Sequence, residues 1–149
     1  MIQNSSEKFV ASNEGLRLSA YPDPAGVLTI GYGTTIYNGE PVKLGLTITQ
    51  SEAELCLHIK CDEIKMHLFN STSISLNDGQ IDALVDFCYN LGFYAFLSST
   101  LYKIINNEQS VTEDMFTRWD KVHKDGQLIE VKGLKERRQR EFLRYSRGD

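Results

Sequence analysis

Apolar residues recur at helical spacing over most of this chain and alternate only briefly near its start. Asn4-Ser5-Ser6-Glu7 offers an N-cap with an acid at the third helical position. Phe9, Val10 and Leu16 come next, near a helical period, so a helix is predicted over about Ser5 to Glu14, stopped by Gly15 in a left-handed cap. Leu16 to Tyr21 then alternates, which predicts a short strand. Pro22-Asp23-Pro24-Ala25-Gly26 is a turn, Val27 to Tyr32 a second strand, and Asn38-Gly39 a turn before a third at Glu40 to Lys43. These pieces predict a small antiparallel sheet, too small to be stable without helices against it.

Helices are predicted for most of the remaining chain. Thr49 to Glu52 is a capping box opening a long helix to about Phe69, with Ala53, Cys56, Leu57, Ile64 and Leu68 on its apolar face. Asn77 to Gln80 is another box, and Ile81, Leu84, Val85 and Cys88 carry the helix to Leu91, where Gly92 ends it. A tight connection through Phe93, Tyr94, Phe96 and Leu97 leads to a helix from about Ser99 to Asn107. Ser110 to Glu113 caps a helix bearing Met115, Phe116 and Trp119. A small hairpin turns at Asp125-Gly126, and the last helix begins after Lys132, with Leu134, Phe142 and Tyr145 facing inward.

With 149 residues, the chain suits one domain. It has no apolar run long enough to span a bilayer and no basic-then-apolar leader at its start. It is therefore expected to be made in a cytoplasm and not to insert into a membrane. Cys56, Cys61 and Cys88 are read as reduced thiols, at least two of them in the core. With His58 and His67 they could suggest a metal, but no Cys-x-x-Cys spacing exists, and neither a metal nor another cofactor is expected. The net charge is −4, with −6 over residues 1–100 and +2 over 101–149, which argues against nucleic acid as a partner. The segment Lys132 to Arg147 holds seven Lys or Arg against two Glu and reads as a solvated helix.

The candidate chemistry lies in Glu14 to Thr35. Glycosidic cleavage needs one carboxylic acid to protonate the bridging oxygen and a second carboxylate to activate water or stabilise the cation. Glu14 stands at a helix end, unfavourable for a negative charge. Asp23 stands in an exposed polar turn, and Thr29 in a strand. Two acids nine residues apart are also compatible with an ordinary helix end and an ordinary turn former, and spacing alone does not choose between the two.

Longer motifs add to this. Glu14-Gly15-Leu16-Arg17-Leu18, then Tyr21-x-Asp23-x-x-Gly26-x-x-Thr29-Ile30-Gly31-Tyr32-Gly33, resembles the catalytic signature of phage-type lysozymes (endolysins), glycoside hydrolase family 24. Gln80-x-x-Ala83-Leu84, Phe87-x-Tyr89-Asn90-Leu91-Gly92 and Phe96-x-x-Ser99-Thr100-Leu101 resemble the family's central helix and the turn after it. Trp119 and Gly133-Leu134-x-x-Arg137-Arg138-x-x-Glu141 resemble its C-terminal signature.

The resemblance implies an α+β lysozyme-like fold in a single catalytic domain. A β lobe over about residues 15–48 and a helical lobe over about 49–149 plus the N-terminal helix, joined by the long helix near Gln50 to Phe69, would flank an active-site cleft. It implies hydrolysis of the β-1,4 bond between N-acetylmuramic acid and N-acetylglucosamine in peptidoglycan, with inversion and host cell lysis. Glu14 would be the general acid, with Asp23 and Thr29 positioning the water, while Tyr32, Asn90, Leu91 and Arg137 would contact substrate. Arg137 would also reach Glu14. At least one of Arg137 and Arg138 is read as a solvated charge, and loss of Arg137 is expected to cost more than loss of Arg138. The partner would be peptidoglycan, met by a monomer after a separate holin-type protein opens the membrane. The alternatives are a lytic transglycosylase or an inactive wall-binding module. Many relatives place a histidine where this chain has Thr34, so the contact at Thr34 must be uncharged.

Overall fold

A computed structural model describes residues 1–148. In chain order these form α1 (Ser5–Glu14), β1 (Arg17–Pro22), β2 (Leu28–Gly31), β3 (Ile36–Tyr37), β4 (Glu40–Pro41), α2 (Gln50–Ser71), α3 (Asp78–Leu91) and α4 (Phe93–Ser98). They continue as α5 (Thr100–Asn106), α6 (Glu113–Thr117), β5 (Lys121–Lys124), β6 (Gln127–Glu130) and α7 (Lys132–Arg147). Two compact units meet in sequence within α2, the first running Met1–Asp62 and the second starting at Glu63.

The capping residues do what their spacing predicts on α2 and α3, only in part on α1, and not on α6, where Thr112 precedes the helix and makes no side-chain cap bond. Thr49 and Glu52 bond reciprocally at the start of α2, Glu52 N donating to Thr49 Oγ1 at 3.2 Å and Thr49 N to Glu52 Oε2 at 2.8 Å. Asn77 and Gln80 do the same on α3, at 2.9 and 3.0 Å. On α1 only half the box forms. Asn4 Oδ1 accepts from Glu7 N at 3.0 Å, but the Glu7 carboxylate reaches further back, to Gln3 N at 2.6 Å, and sideways to His58 Nδ1 at 2.5 Å. Glu7 is buried, and both of its oxygens are committed.

Strands in the first unit are short. β1 and β2 are antiparallel, with an irregularity between Arg17 and Tyr21 and Tyr21 directly opposite Thr29. The segment after β4 runs beside β1, with Ala20 N donating to Leu46 O and Ile48 N to Leu18 O, both at 3.0 Å. β3 and β4 form a separate hairpin of two residues a side rather than the longer strand predicted to Lys43. Its turn residues, Asn38 and Gly39, both have positive φ, as a two-residue hairpin demands. Val10, Ile30, Val42, Ile48, Ala53, Leu57 and Cys61 are buried.

In the second unit the Phe87 ring is the hub, meeting Phe96, Phe116 and Trp119 edge-on at centroid distances of 6.2, 6.0 and 5.8 Å. Trp119 lies past the end of α6, which stops at Thr117. α7 departs most from its predicted character. Phe142 and Tyr145 do pack on Phe116, yet the buried residues of this helix are Arg137, Arg138 and Glu141. Neither arginine is a solvated charge, so that expectation is corrected. α3 supplies their partners from within its own apolar stripe. Asp86 accepts from Arg137 Nε at 2.9 Å and Nη2 at 2.8 Å, and Asp82 accepts from Arg144 at 2.9 and 3.0 Å.

The buried Glu7 carries a pH consequence. Burial pushes its carboxyl up, but the Gln3 N–H and the bond and charge of His58 outweigh that, leaving it below its ordinary value of 4.5. A group depressed on folding stabilises above its unfolded pKa and loses that contribution as pH falls through the folded one. The urea-unfolding free energy of wild type should therefore exceed that of Glu7→Gln by ~1–3 kcal/mol at pH 6, with the gap narrowing by pH 3. A gap that stays constant or widens on acidification would show the sign to be wrong.

Candidate active site

Glu14 is the last residue of α1. Gly15 N donates to Ala11 O at 3.0 Å, and Gly15 has φ 72 and ψ 168. Its φ is positive as predicted, but ψ is extended, so the chain leaves the helix directly into β1 rather than through a left-handed cap. The Glu14 side chain is half-buried and lies against Gly33, where a Cβ would stand 2.6 Å from Glu14 Oε2 and 2.9 Å from Cδ. With φ 81, Gly33 is a position that only glycine fills without strain. Ile30 and Thr34 exchange two backbone hydrogen bonds of 2.8 Å, closing the turn that presents Gly33 to Glu14.

Asp23 is fixed by its own loop. Its Oδ1 accepts from Ala25 N at 2.9 Å and Val27 N at 2.8 Å, and its backbone N–H donates to Val27 O at 2.9 Å. Thr29 lies on β2 and is 4% exposed. Its Oγ1 donates to Val27 O at 2.9 Å, so its proton is committed and its lone pairs remain to accept. Asp23 and Thr29 thus hang on the two sides of Val27, one through its N–H and the other through its C=O.

Tyr21, the cross-strand partner of Thr29, is half-buried. Burial raises its phenol pKa, the Glu14 charge raises it further, the Arg17 guanidinium offsets part of this, and Asp23 adds a smaller upward push. The phenol therefore stands where the fields of both carboxylates are felt. Tyr32 is buried, at 6% exposure. Glu14, Asp23, Thr29 and Tyr32 all belong to the first unit, within one stretch of nineteen residues.

Asn90, Leu91 and Arg137 belong to the second unit. Asn90 Oδ1 accepts from Arg138 Nη2 at 2.8 Å, Leu91 ends α3 half-buried, and Arg137 is clamped on Asp86. Arg138 Nη2 also donates to Glu141 Oε2 at 2.8 Å, and its Nε lies 2.7 Å from Glu141 Oε1. Full burial pushes the Glu141 carboxyl well above its ordinary range against the pull of Arg138, helped by a hydrogen bond to Asp86. Asp86 is itself held low, since that bond and the two arginines outweigh the upward push of its burial.

The hydrophobic pattern does not predict this network. The available signal is Asp82 and Asp86, four apart inside an otherwise apolar helix face.

Thr34 meets the thiol of Cys56 on α2, an uncharged contact as its chemistry required. Burial raises the Cys56 pKa, the Thr34 bond lowers it in part, and the Glu52 charge adds to the rise. None of the three cysteines is in a disulfide, and Cys61 and Cys88 are buried. Among the described residues, one group brings three metal-ligating side chains within 4.8 Å of one another: Glu7, His58 and Asp62. It shares only His58 with the set the sequence suggested.

The phage lysozyme family model matches residues 11–141. The chain belongs to the phage lysozyme family. Membership makes it a glycoside hydrolase of the lysozyme type, and its helices and small antiparallel strand pairs form an α+β lysozyme-like fold. The chain is 36% identical over 129 residues to the endolysin of Acyrthosiphon pisum secondary endosymbiont phage 1, covering 86% of each. The solved endolysin from Escherichia coli O157:H7 phage FAHEc1 superposes with a TM-score of 0.87 at 34% identity, over 97% of this chain and 92% of that one. The muramidase domain of SpmX from Asticaccaulis excentricus gives 0.81 at 27% identity, covering 97% of each. This phage lysozyme thus keeps the fold of relatives that share about a third of its residues or fewer.

Proposed function

We propose that this chain is a muramidase acting as an endolysin, hydrolysing the β-1,4 bond between N-acetylmuramic acid and N-acetylglucosamine with inversion. Glu14 donates the proton to the leaving oxygen. Asp23 and Thr29 hold the attacking water between Asp23 Oδ2 and Thr29 Oγ1, and Asp23 takes its proton as it attacks.

The observation that carries this reading is the division of labour around Val27. Two backbone N–H groups occupy Asp23 Oδ1, and Thr29 spends its only proton on Val27 O. A water placed beside the pair would find two acceptors and no competing donor from either side chain, so its hydrogens point to the protein and its lone pair to the sugar. Inversion requires that water between the two carboxylates, at a separation of about 6.5–9.5 Å.

Tyr32, Asn90, Leu91 and Arg137 are proposed to contact substrate. The relatives named as endolysins support work on the wall of a host cell. No helix among the described residues is long and apolar enough to cross a membrane. A separate holin-type protein is proposed to give the enzyme, as a monomer, access to peptidoglycan.

The test is product analysis on purified peptidoglycan. Reducing N-acetylmuramic ends, formed first as the α anomer by NMR, are expected. Anhydromuramic ends by mass would identify a lytic transglycosylase, β product would replace inversion by retention, and wall binding without new ends would leave only a binding module.

A further inference from the structure

We propose that Arg17, laid on the ring of Tyr21, is a binding site for the free carboxylates of the peptide carried by the muramic residue of the substrate. This rests on the muramidase reading and names what the site selects beyond the glycan.

The placement comes from the strand pair. Arg17 sits opposite Gly31 on β2, so no cross-strand side chain competes for it. It leans along its own strand instead, with Cζ 4.3 Å from the Tyr21 ring centroid. Tyr21 in turn is opposite Thr29, which places the stacked pair beside the proposed water-holding residues.

Stacking uses the face of a guanidinium and leaves its edge, with five N–H donors in a planar fork. Arg17 is exposed and, among the described residues, forms no hydrogen bond or ion pair, although Glu14 is only three positions before it. A cation held flat by an aromatic ring has lost much of the freedom that makes exposed arginines weak binders. Its unspent fork matches a carboxylate bidentately. Peptidoglycan is a neutral glycan whose only regular anionic groups close to the scissile bond are the carboxylates of its stem peptides. An oriented guanidinium beside the site therefore distinguishes strands whose peptides carry free carboxylates from strands whose peptides are amidated. It also adds a positive charge next to Glu14 and Asp23, easing the approach of an acidic polymer to an acidic site.

The experiment compares wild type, Arg17→Gln and Arg17→Lys on two substrates, intact peptidoglycan and the same polymer with its peptide carboxylates converted to amides by carbodiimide and ammonia. Arg17→Gln should raise KM on the intact polymer about tenfold, as loss of one bidentate pair does, with kcat within about twofold. On the amidated polymer it should match wild type. Arg17→Lys, which keeps charge without the fork, should fall between, and the wild-type advantage should shrink at high salt. Equal losses on both substrates would reassign Arg17 to supporting Tyr21, and no loss on either would remove the site. Wild type inactive on both would instead overturn the muramidase reading. Since Arg17 is exposed, matching thermal unfolding of the variants separates these outcomes from misfolding.

Discussion

Glu14→Gln should abolish wall clearance while leaving the fold intact. An amide in that position fills the same space against Gly33, so packing is preserved, but it cannot give up a proton to the leaving oxygen. Loss of a general acid removes about 10²–10⁴-fold in turnover, and with a sugar alkoxide as the leaving group the upper end is expected. Binding should persist, so the variant should still sediment with purified walls. Turbidity loss and reducing-end release measure the first effect, and thermal unfolding the second. Clearance at a wild-type rate by a folded Glu14→Gln protein would remove Glu14 from the chemistry. Asp23→Asn is a useful companion. It keeps a side-chain oxygen for the Ala25 and Val27 N–H groups but removes the proposed base, so it too should lose activity without losing stability.

The second large effect is on stability and lies in α7. Arg138→Ala should destabilise by ~3–5 kcal/mol in urea unfolding, the usual cost of removing one partner from a buried charged network. Arg138 is 0% exposed and bonds both Asn90 and Glu141, and its guanidinium also lies 5.3 Å from the centre of the Phe87 ring. Truncation leaves a cavity beside the aromatic hub and takes a donor away from Asn90 Oδ1 and the fully buried Glu141 carboxyl. Arg137→Ala, which strands Asp86, should cost a similar amount, against the expectation from sequence that Arg137 would matter more. The double variant Arg138→Met, Glu141→Leu should recover much of the loss, since removing both partners restores a dry core. A loss below about 1 kcal/mol for Arg138→Ala would mean that the site refills with water and that the pair is not structural.

Much of the fold was legible because it is written locally. Thr49 with Glu52 and Asn77 with Gln80 are reciprocal caps three residues apart, and both form as read. Asn38-Gly39 and Asp125-Gly126 mark turns with positive φ at both residues, and both pairs adopt it. The stretch that holds Glu14, Asp23 and Thr29 is equally local, which is why its motif could be matched.

What could not be read depends on distance. Glu7 has the spacing of a capping residue and is one only in part, because a histidine 51 positions away claims its carboxylate. Arg137 and Arg138 have the pattern of surface charges because a hydrophobicity pattern counts every arginine as solvent-facing. Asp86 and Asn90, which pair with Arg137 and Arg138, stand on another helix, with only Glu141 on α7 itself, and pairing is what makes the burial possible. The predicted inward residues Phe142 and Tyr145 do pack on Phe116, so the pattern located the face of α7 and misjudged how much of it is charged.

The thiols found throughout this small chain have a bearing on durability. Cys61 and Cys88 are sealed from solvent, and Cys56 is kept in its less reactive protonated form by its burial and the nearby Glu52 charge, which outweigh the Thr34 bond. Thiolate is the species that oxidants and disulfides attack. A protein so arranged can pass from a reducing to an oxidising medium with little cross-linking, mixed-disulfide formation or sulfenic acid chemistry, and without needing any of them to hold its shape.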